Sequence, residues 1–521
     1  MHIGTGIWRA LDRARAMNLS EDGEAPARLG PDGITRRRVL AALVAGTGAT
    51  LLPRVPVFAQ RPQRIVIIGG GLAGLSALDT LAAQGVDATL YEARGAVGGR
   101  TRSVQGVFAD DYAFDEGGQL VNSDHEDMMR LVRRFDLVLV DRRGFGPVRE
   151  VQIGRNGRVV SEASLARALR RIARQITTDS DRLDRDYETV AREIDAMSVA
   201  AYLDRHELRA GDARNALEAG IRTEYGAEPG EASALELLFN LPTVNGARLT
   251  RIGLSDERYL IAGGTDQIAS RLATQHEVGI RLNKRLIALN SGGTEVRMEF
   301  ADGEEVRADN VILALPAPLL REIRFDGPMP APWRALIDEV RLGRNEKLIV
   351  GYDRQALRPQ LGFGGAVWAG EPFSAAWDAA SMAPGRASAG AICYFLGGDQ
   401  VDTAATASTS ELAARFSDTA RRALPGLPRP SGLARRTRWC DDPLTKGSYV
   451  NYRPGQLTRF GSLMAVEEEG GEKRAAGFGP IHFAGEWLSD AWPGYMNGAV
   501  QTGRLAAEAA MMPAPAELLS S

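Results

Sequence analysis

A chain of 521 residues that is 44% hydrophobic and 25% charged is long enough for two domains with sizeable cores, and its composition is that of an ordinary globular protein. The formal net charge is −3; residues 1–59 hold eight Arg and no Lys against five Asp or Glu, so the remainder bears a formal −6. A mildly acidic body argues against nucleic acid as the main partner and suits a cationic ligand without requiring one. Two cysteines, Cys393 and Cys440, cannot form a disulfide scaffold; their pairing is not readable, and two buried free thiols are expected. No metal-ligand cluster is read in the chain.

Near the N-terminus, Thr35-Arg36-Arg37-Arg38-Val39-Leu40 leads into an apolar, small-residue run from Val39 to Leu52, and Val57-Phe58-Ala59 offers a small-residue cleavage site. Residues 1–59 therefore read as a twin-arginine export signal, with a disordered basic leader or a short uncleaved anchor as the alternatives. The apolar run is too short for a comfortable transmembrane helix, so the mature chain is expected in the periplasm with no stable membrane anchor.

The organising stretch is Arg64 to Arg102. Ile65 to Ile68 is a continuous apolar run that predicts a buried parallel strand. It breaks into Gly69, Gly71 and Gly74, spaced Gly-x-Gly-x-x-Gly, before a helix over Leu72 to Ala83 and a second strand from Ala88 to Tyr91 that ends at Glu92. Gly69 permits the tight turn, Gly71 lets the backbone approach a pyrophosphate, Gly74 lets helix and strand pack closely, and Glu92 is placed to accept hydrogen bonds from a ribose. Amides at the helix N-terminus would face the phosphates. The order of these parts predicts dinucleotide binding.

Further along, Phe114-Asp115-Glu116-Gly117-Gly118-Gln119-Leu120-Val121 contains a Gly-Gly turn. From Ser161 to Gly226 the chain is helical and charged, with Leu165, Leu169, Ile172 and Ile176 at helical spacing and the charges read as a solvated face. Arg281 to Leu289, Glu295 to Phe300 and Asn310 to Leu315 read as strands, with a hairpin turn at Ala301-Asp302-Gly303. Strands alternate with an amphipathic helix around Glu411 to Leu424 between about Phe325 and Arg435. Lys347 begins a strand, and Trp439 to Tyr449, Ile481 to Trp487 and Trp492 to Ala499 are rich in aromatic residues and glycine.

Glu92-Ala93-Arg94 with Gly98-Gly99-Arg100, the Gly117-Gly118-Gln119 turn, Trp439-Cys440 with Gly447-Ser448-Tyr449, Phe483-Ala484-Gly485-x-Glu486 and Trp492-x-Gly494-Tyr495-Met496 together resemble the flavin amine oxidase family, which includes monoamine, polyamine and L-amino-acid oxidases. The resemblance implies an α/β flavoprotein of the amine oxidase fold: a discontinuous Rossmann-like FAD-binding domain over 62–141, 245–325 and 436–512, a mixed α+β substrate domain over 142–244 and 326–435, and a C-terminal tail over 513–521. It places Gly69, Gly71, Gly74, Glu92, Arg94, Gly98, Gly99, Arg100, Gly117, Gly118, Gln119, Leu286, Trp439, Gly485, Glu486 and Met496 against FAD. Lys347 matches a lysine that holds a water at flavin N5. Tyr449 and Tyr495 match the two walls of an aromatic cage over the flavin.

Ser448 stands where the family's covalently linked members carry cysteine, so FAD is expected to be non-covalent. The implied reaction is oxidation of a primary amine or polyamine to an imine, hydrolysed to aldehyde or ketone. Oxygen, giving hydrogen peroxide, is the default acceptor, and a periplasmic cytochrome or quinone is the alternative. The family's L-amino-acid oxidases tend to carry Gly-Pro-Met-Arg where this chain has Gln119, which turns the reading towards amines; an L-amino-acid oxidase is the runner-up, and a non-catalytic FAD-binding protein ranks last. No side chain reads as a convincing base, and His482 reads as structural. The particular amine is not readable, nor is the oligomeric state, a homodimer included.

Overall fold

The computed structural model describes residues 5–23, 63–239, 255–383, 385, 389–468 and 471–512, together with the backbone of 242–245 and 248–251. The twin-arginine stretch, the apolar run after it, Ala59 and the tail over 513–521 lie outside the described residues.

The glycine-motif strand Ile65–Ile68 is fully buried, as four consecutive β-branched side chains between two covered faces require. It lies in a six-stranded sheet between Ala88–Tyr91 and Asn310–Leu313, parallel to both, with register partners Ile65 to Ala88 and Ile65 to Asn310. The C-terminal segment completes the far side of this sheet: Ile481–Phe483 runs parallel to Asn310–Leu313, and Ala476–Phe478 adds an antiparallel edge. Helices Leu72–Ala83 and Met496–Ala510 pack together on this sheet, so close that a Cβ on Gly503 would sit 2.0 Å from the Ala73 carbonyl oxygen. Leu75, Leu78, Leu81, Val500 and Ala507 fill the layer between.

The expected strand from Arg281 to Leu289 is two strands in different sheets. Ile280–Arg281 closes the edge of the six-stranded sheet beside Ala88–Tyr91, whereas Leu286–Asn290 joins a four-stranded sheet. Between them Asn283 takes a left-handed conformation (φ 61°), and its amide and that of Lys284 donate to the carbonyls of Arg94 and Glu92, which turns the chain under the nucleotide loop. Val296–Phe300 and Glu305–Ala308 complete the hairpin around Ala301-Asp302-Gly303.

A second, seven-stranded sheet is centred on two eight-residue strands, Asn345–Tyr352 and Gly390–Gly397, each buried throughout. Helices Glu162–Arg185, Tyr187–Asp195, Val199–Arg205 and Asp212–Tyr225 form the helical insertion, the first three capped by Ser161, Asp186 and Ser198 side chains on main-chain amides. Helix Thr409–Ala423 starts on a capping box of Ser408 and Glu411.

Residues 5–21, inside the segment read as leader, form a helix of their own. Thr5–Glu21 lies against Glu162–Arg185 with Ile7, Trp8, Leu11 and Ala14 buried among Leu165, Leu169 and Ile172. Arg9 pairs with Glu162 at 2.8 Å, and the Asn18 amide donates to the Arg170 carbonyl at 2.8 Å. Among the described residues no helix is long and apolar enough to cross a membrane.

Candidate active site

The six-stranded sheet delivers its glycine loop to a cavity enclosing about 1850 Å³ of empty space, its solvent mouth included. Gly69 takes φ 108°, and at Gly74 a Cβ would stand 1.9 Å from the Gly69 carbonyl oxygen, so the strand-to-helix approach admits glycine alone. Helix Leu72–Ala83 begins at Gly71 with no side chain capping it, and a Cβ on Gly71 would meet nothing within 4 Å. Uncapped amides at a helix N-terminus bordering empty space suit a pyrophosphate.

The predicted site residues converge on this cavity: of those placed against a cofactor or in the cage, all but Gly74 line it. Glu92 accepts the Gly70 amide at 2.6 Å and the Arg94 amide at 2.7 Å, leaving further lone pairs for a ribose. Arg94 is held by Asp442 at 2.7 Å and Thr445 at 3.1 Å. Gly98 and Gly99 both have positive φ, and the Gly98 amide donates to the Gly70 carbonyl, fastening the second loop to the first. Arg100 donates to Glu486 at 2.6 Å and to the Ser448 carbonyl at 2.5 Å. The other Glu486 oxygen takes the Gly494 amide at 3.0 Å, so Glu486 braces the turn that carries Tyr495. Gly485 (φ 151°) precedes it, and its amide donates to Thr502.

Gly118 faces Met496, whose Sδ would lie 2.9 Å from an added Cβ. Gln119 is fixed between the Trp377 indole N–H at 3.1 Å and the Ala379 carbonyl at 3.2 Å. The Trp439 indole donates to the Glu116 carbonyl at 3.0 Å, with the Arg102 guanidinium 4.7 Å over its ring. Leu286, buried at the start of its strand, also lines the cavity.

Lys347 is buried, and its Nζ donates to the carbonyls of Asp115 at 2.9 Å and Gly117 at 2.8 Å. Burial lowers its pKa, against the opposing pull of Cys393, Asp115 and Glu116. Ser448 donates to the Gly343 carbonyl (2.9 Å) or Asn345 (2.7 Å). Tyr449 bonds the Thr223 carbonyl, and its ring lies against Gly494. Tyr495 precedes the final helix and lies edge-on to His125, ring centroids 5.2 Å apart. Burial raises both phenols well above the usual tyrosine value, so they stay neutral. His482 lies outside the cavity lining, 3.3 Å from Asn310. Cys393 and Cys440 are both free; Cys393 is buried and Cys440 half-buried, and burial pushes both thiols up to about 12.

Known proteins share this chain's sequence pattern and fold. Residues 72–511 match the model of the flavin containing amine oxidoreductases. The chain belongs to that family. It is a flavin-dependent amine oxidoreductase by that membership, and FAD is the cofactor its glycine loop, uncapped helix and cavity fit. It is 25% identical over 462 residues to the flavin-containing amine oxidase B of Sus scrofa, covering 85% of each chain. Its fold matches a double mutant of putrescine oxidase (TM-score 0.72, 21% identity, 86% of this chain and 98% of that one). It also matches cyclohexylamine oxidase from Brevibacterium oxydans (TM-score 0.71, 22% identity, 86% and 99%).

Three residues around Tyr449 and Tyr495 escaped the sequence. His125, fully buried, props Tyr495 and Trp492; its Nδ1 accepts the Asn122 amide, and burial holds the ring neutral, down to about 3. Glu257 lines the cavity, and Glu224 is buried next in the chain to Thr223, whose carbonyl takes the Tyr449 hydroxyl, without lining the cavity itself. Glu224 carried a readable signal: it continues the buried stripe of Leu217, Gly220 and Ile221 at helical spacing, where an acid is out of place.

Proposed function

We propose that this protein oxidises a primary amine or polyamine to an imine, which water hydrolyses to an aldehyde or ketone. The observation that carries the reading is the meeting of Tyr449, Tyr495 and Lys347 in one cavity with the nucleotide loop. Aromatic faces attract an amine's partial positive charge, and an apolar cage favours its neutral form. Each of the three arginines lining the cavity is already paired, Arg94 with Asp442, Arg100 with Glu486 and Arg285 with Glu322, which supports an amine over an amino acid needing a carboxylate clamp.

Bound FAD, held without a covalent link, supplies the acceptor for the hydride equivalents. The chain's own residues do the rest: Tyr449 and Tyr495 orient the nitrogen, their fixed hydroxyls keep the cage open, and Lys347 holds the Asp115–Gly117 turn beside them. Oxygen is the terminal acceptor, taking two electrons and two protons to give hydrogen peroxide. The Arg36–Arg38 cluster and the apolar run behind it support export by the twin-arginine route to the periplasm.

Anaerobic mixing with primary amines, polyamines and L-amino acids, followed at the flavin absorbance, tests the reading. Bleaching by one amine class is expected, with colour restored by air. Bleaching by amino acids alone transfers the assignment to an L-amino-acid oxidase, and colour that returns with a quinone or cytochrome but not with air replaces the acceptor.

A further inference from the structure

The seven-stranded sheet turns one face to the cavity. Lys347 on strand Asn345–Tyr352 lies opposite Phe395 on Gly390–Gly397, and Phe395 lies opposite Ala375 on the neighbouring strand Ala375–Asp378. Register partners share a face, as do residues two apart along a strand, so Lys347, Phe395 and Trp377 stand on the same side. All three line the cavity. The rings of Trp377 and Phe395 meet with centroids 5.3 Å apart and planes at 51°, and Tyr449 packs against the cluster that holds them both. One packed cluster therefore gives the cavity Tyr449, Phe395 and Trp377 together.

The indole N–H is the one polar group of Trp377, and it is spent on the Gln119 side-chain oxygen at 3.1 Å. Phe395 has no polar group, so these two residues offer a ligand ring faces and hydrocarbon alone. A planar apolar ring buries its surface there and adds offset or edge-on ring contacts. A second ammonium keeps the attraction to ring faces but gives up its water, and it needs acceptors in exchange. Acceptors to spare are scarce. Of the six glutamates that line the cavity, Glu92 takes two main-chain amides and the other five each face an arginine, Glu257 the most loosely at 4.0 Å from Arg142.

We propose that Trp377 and Phe395 form the subsite for the group that the amine carries, and that this group is an aromatic ring. The substrate is then an arylalkyl amine and not a polyamine. The inference rests on the amine-oxidation reading above and narrows it. The nitrogen lies at Tyr449 and Tyr495, and the ring lies along the sheet face beyond Tyr449. Trp377 sets the selectivity, because it supplies the largest apolar surface of the pair and its one donor is already taken.

The test compares the FAD-loaded wild type with Trp377→Phe, which keeps a ring, and Trp377→Ala, which removes it. Anaerobic flavin bleaching is followed at one pH, over a range of concentrations, with 2-phenylethylamine, hexylamine and 1,4-diaminobutane. The wild type is expected to favour the aryl amine over the diamine by about tenfold or more in bleaching efficiency. In Trp377→Ala the aryl amine should lose about tenfold, through a higher half-saturating concentration and not a lower limiting rate, and hexylamine should lose less. The second readout is calorimetry with α,α-dimethylbenzylamine, which has no hydrogen on the carbon beside nitrogen and is not oxidised, so that binding is read apart from turnover. Its dissociation constant should rise about tenfold in Trp377→Ala and stay within about threefold of wild type in Trp377→Phe. A wild type that bleaches faster with 1,4-diaminobutane overturns the proposal and leaves amine oxidation standing. So does a Trp377→Ala variant with full FAD content and an unchanged order of preference. If that variant does not hold FAD, the wild-type order of substrates decides without it. If no amine bleaches the wild type, the amine-oxidation reading itself falls, and the aryl subsite falls with it.

Discussion

Arg100 and Glu486 are separated by 386 residues and lie 2.6 Å apart, joining the Gly-Gly-Arg loop to the turn that carries Tyr495. The pair stitches the first and last nucleotide-side segments across the cavity. Glu486 is nearly inaccessible, and removing one member of such a pair strands the other charge. Glu486→Ala should cost on the order of 3 kcal/mol, read as a lower urea midpoint, and should loosen FAD, read as flavin lost on gel filtration. A variant that keeps both values would show that the pair holds neither.

Lys347 touches two main-chain carbonyls, so its replacement is more than the loss of a charge. Lys347→Met should retain FAD and slow one half-reaction. It should also lower the melting temperature, because the buried Asp115 carbonyl loses a donor at about 1–3 kcal/mol and the half-buried Gly117 carbonyl loses one as well. Two half-reactions at wild-type rates would remove Lys347 from the chemistry and leave it a brace for the Asp115–Gly117 turn.

At Ser448 the hydroxyl is directed to Gly343 and Asn345, and an alcohol is a poor nucleophile towards a flavin methyl carbon. Acid precipitation should therefore release all the flavin into the supernatant. Yellow colour retained in the pellet would refute a non-covalent cofactor.

Arg504 clamps the final helix to two neighbours, reaching Asp127 at 3.0 and 3.1 Å and Glu467 at 2.6 and 2.9 Å. Burial alone would raise the Glu467 carboxyl, yet the hydrogen bond and charge of Arg504 outweigh it and bring it down to about 2 from 4.5. The folded value lies below the unfolded one, so this stability is complete above about pH 4.5 and is lost as pH falls towards 2. Thermal melts should show an acid limb across that window, on the order of 2 kcal/mol deep, and Arg504→Leu should flatten it.

What was legible in the sequence was whatever a few neighbouring residues determine. Gly69 and Gly74 are dictated by local backbone geometry, and the fold meets that geometry in a φ of 108° and a 1.9 Å clearance. The break between Arg281 and Leu286 was hidden because two apolar strands in different sheets look like one when the turn between them is held by distant carbonyls, those of Glu92 and Arg94. Glu224 was read with the charged face of its helix, yet it is buried, next in the chain to the Thr223 carbonyl that takes the Tyr449 hydroxyl. His125 gave no local sign at all, since its partners Trp492 and Tyr495 come from the other end of the chain.

Helix Thr5–Glu21 has a practical bearing on how this protein is produced. Ile7, Trp8 and Leu11 together bury apolar surface worth on the order of 5 kcal/mol, against a helix to which they are joined only through residues 22–161. A chain begun at residue 60 lacks that cover and bares part of the stripe formed by Leu165, Leu169 and Ile172. Full-length and shortened preparations then differ in stickiness as well as in length. Choosing where to start the gene becomes a decision about colloidal behaviour, to be settled by light scattering before any kinetics are compared.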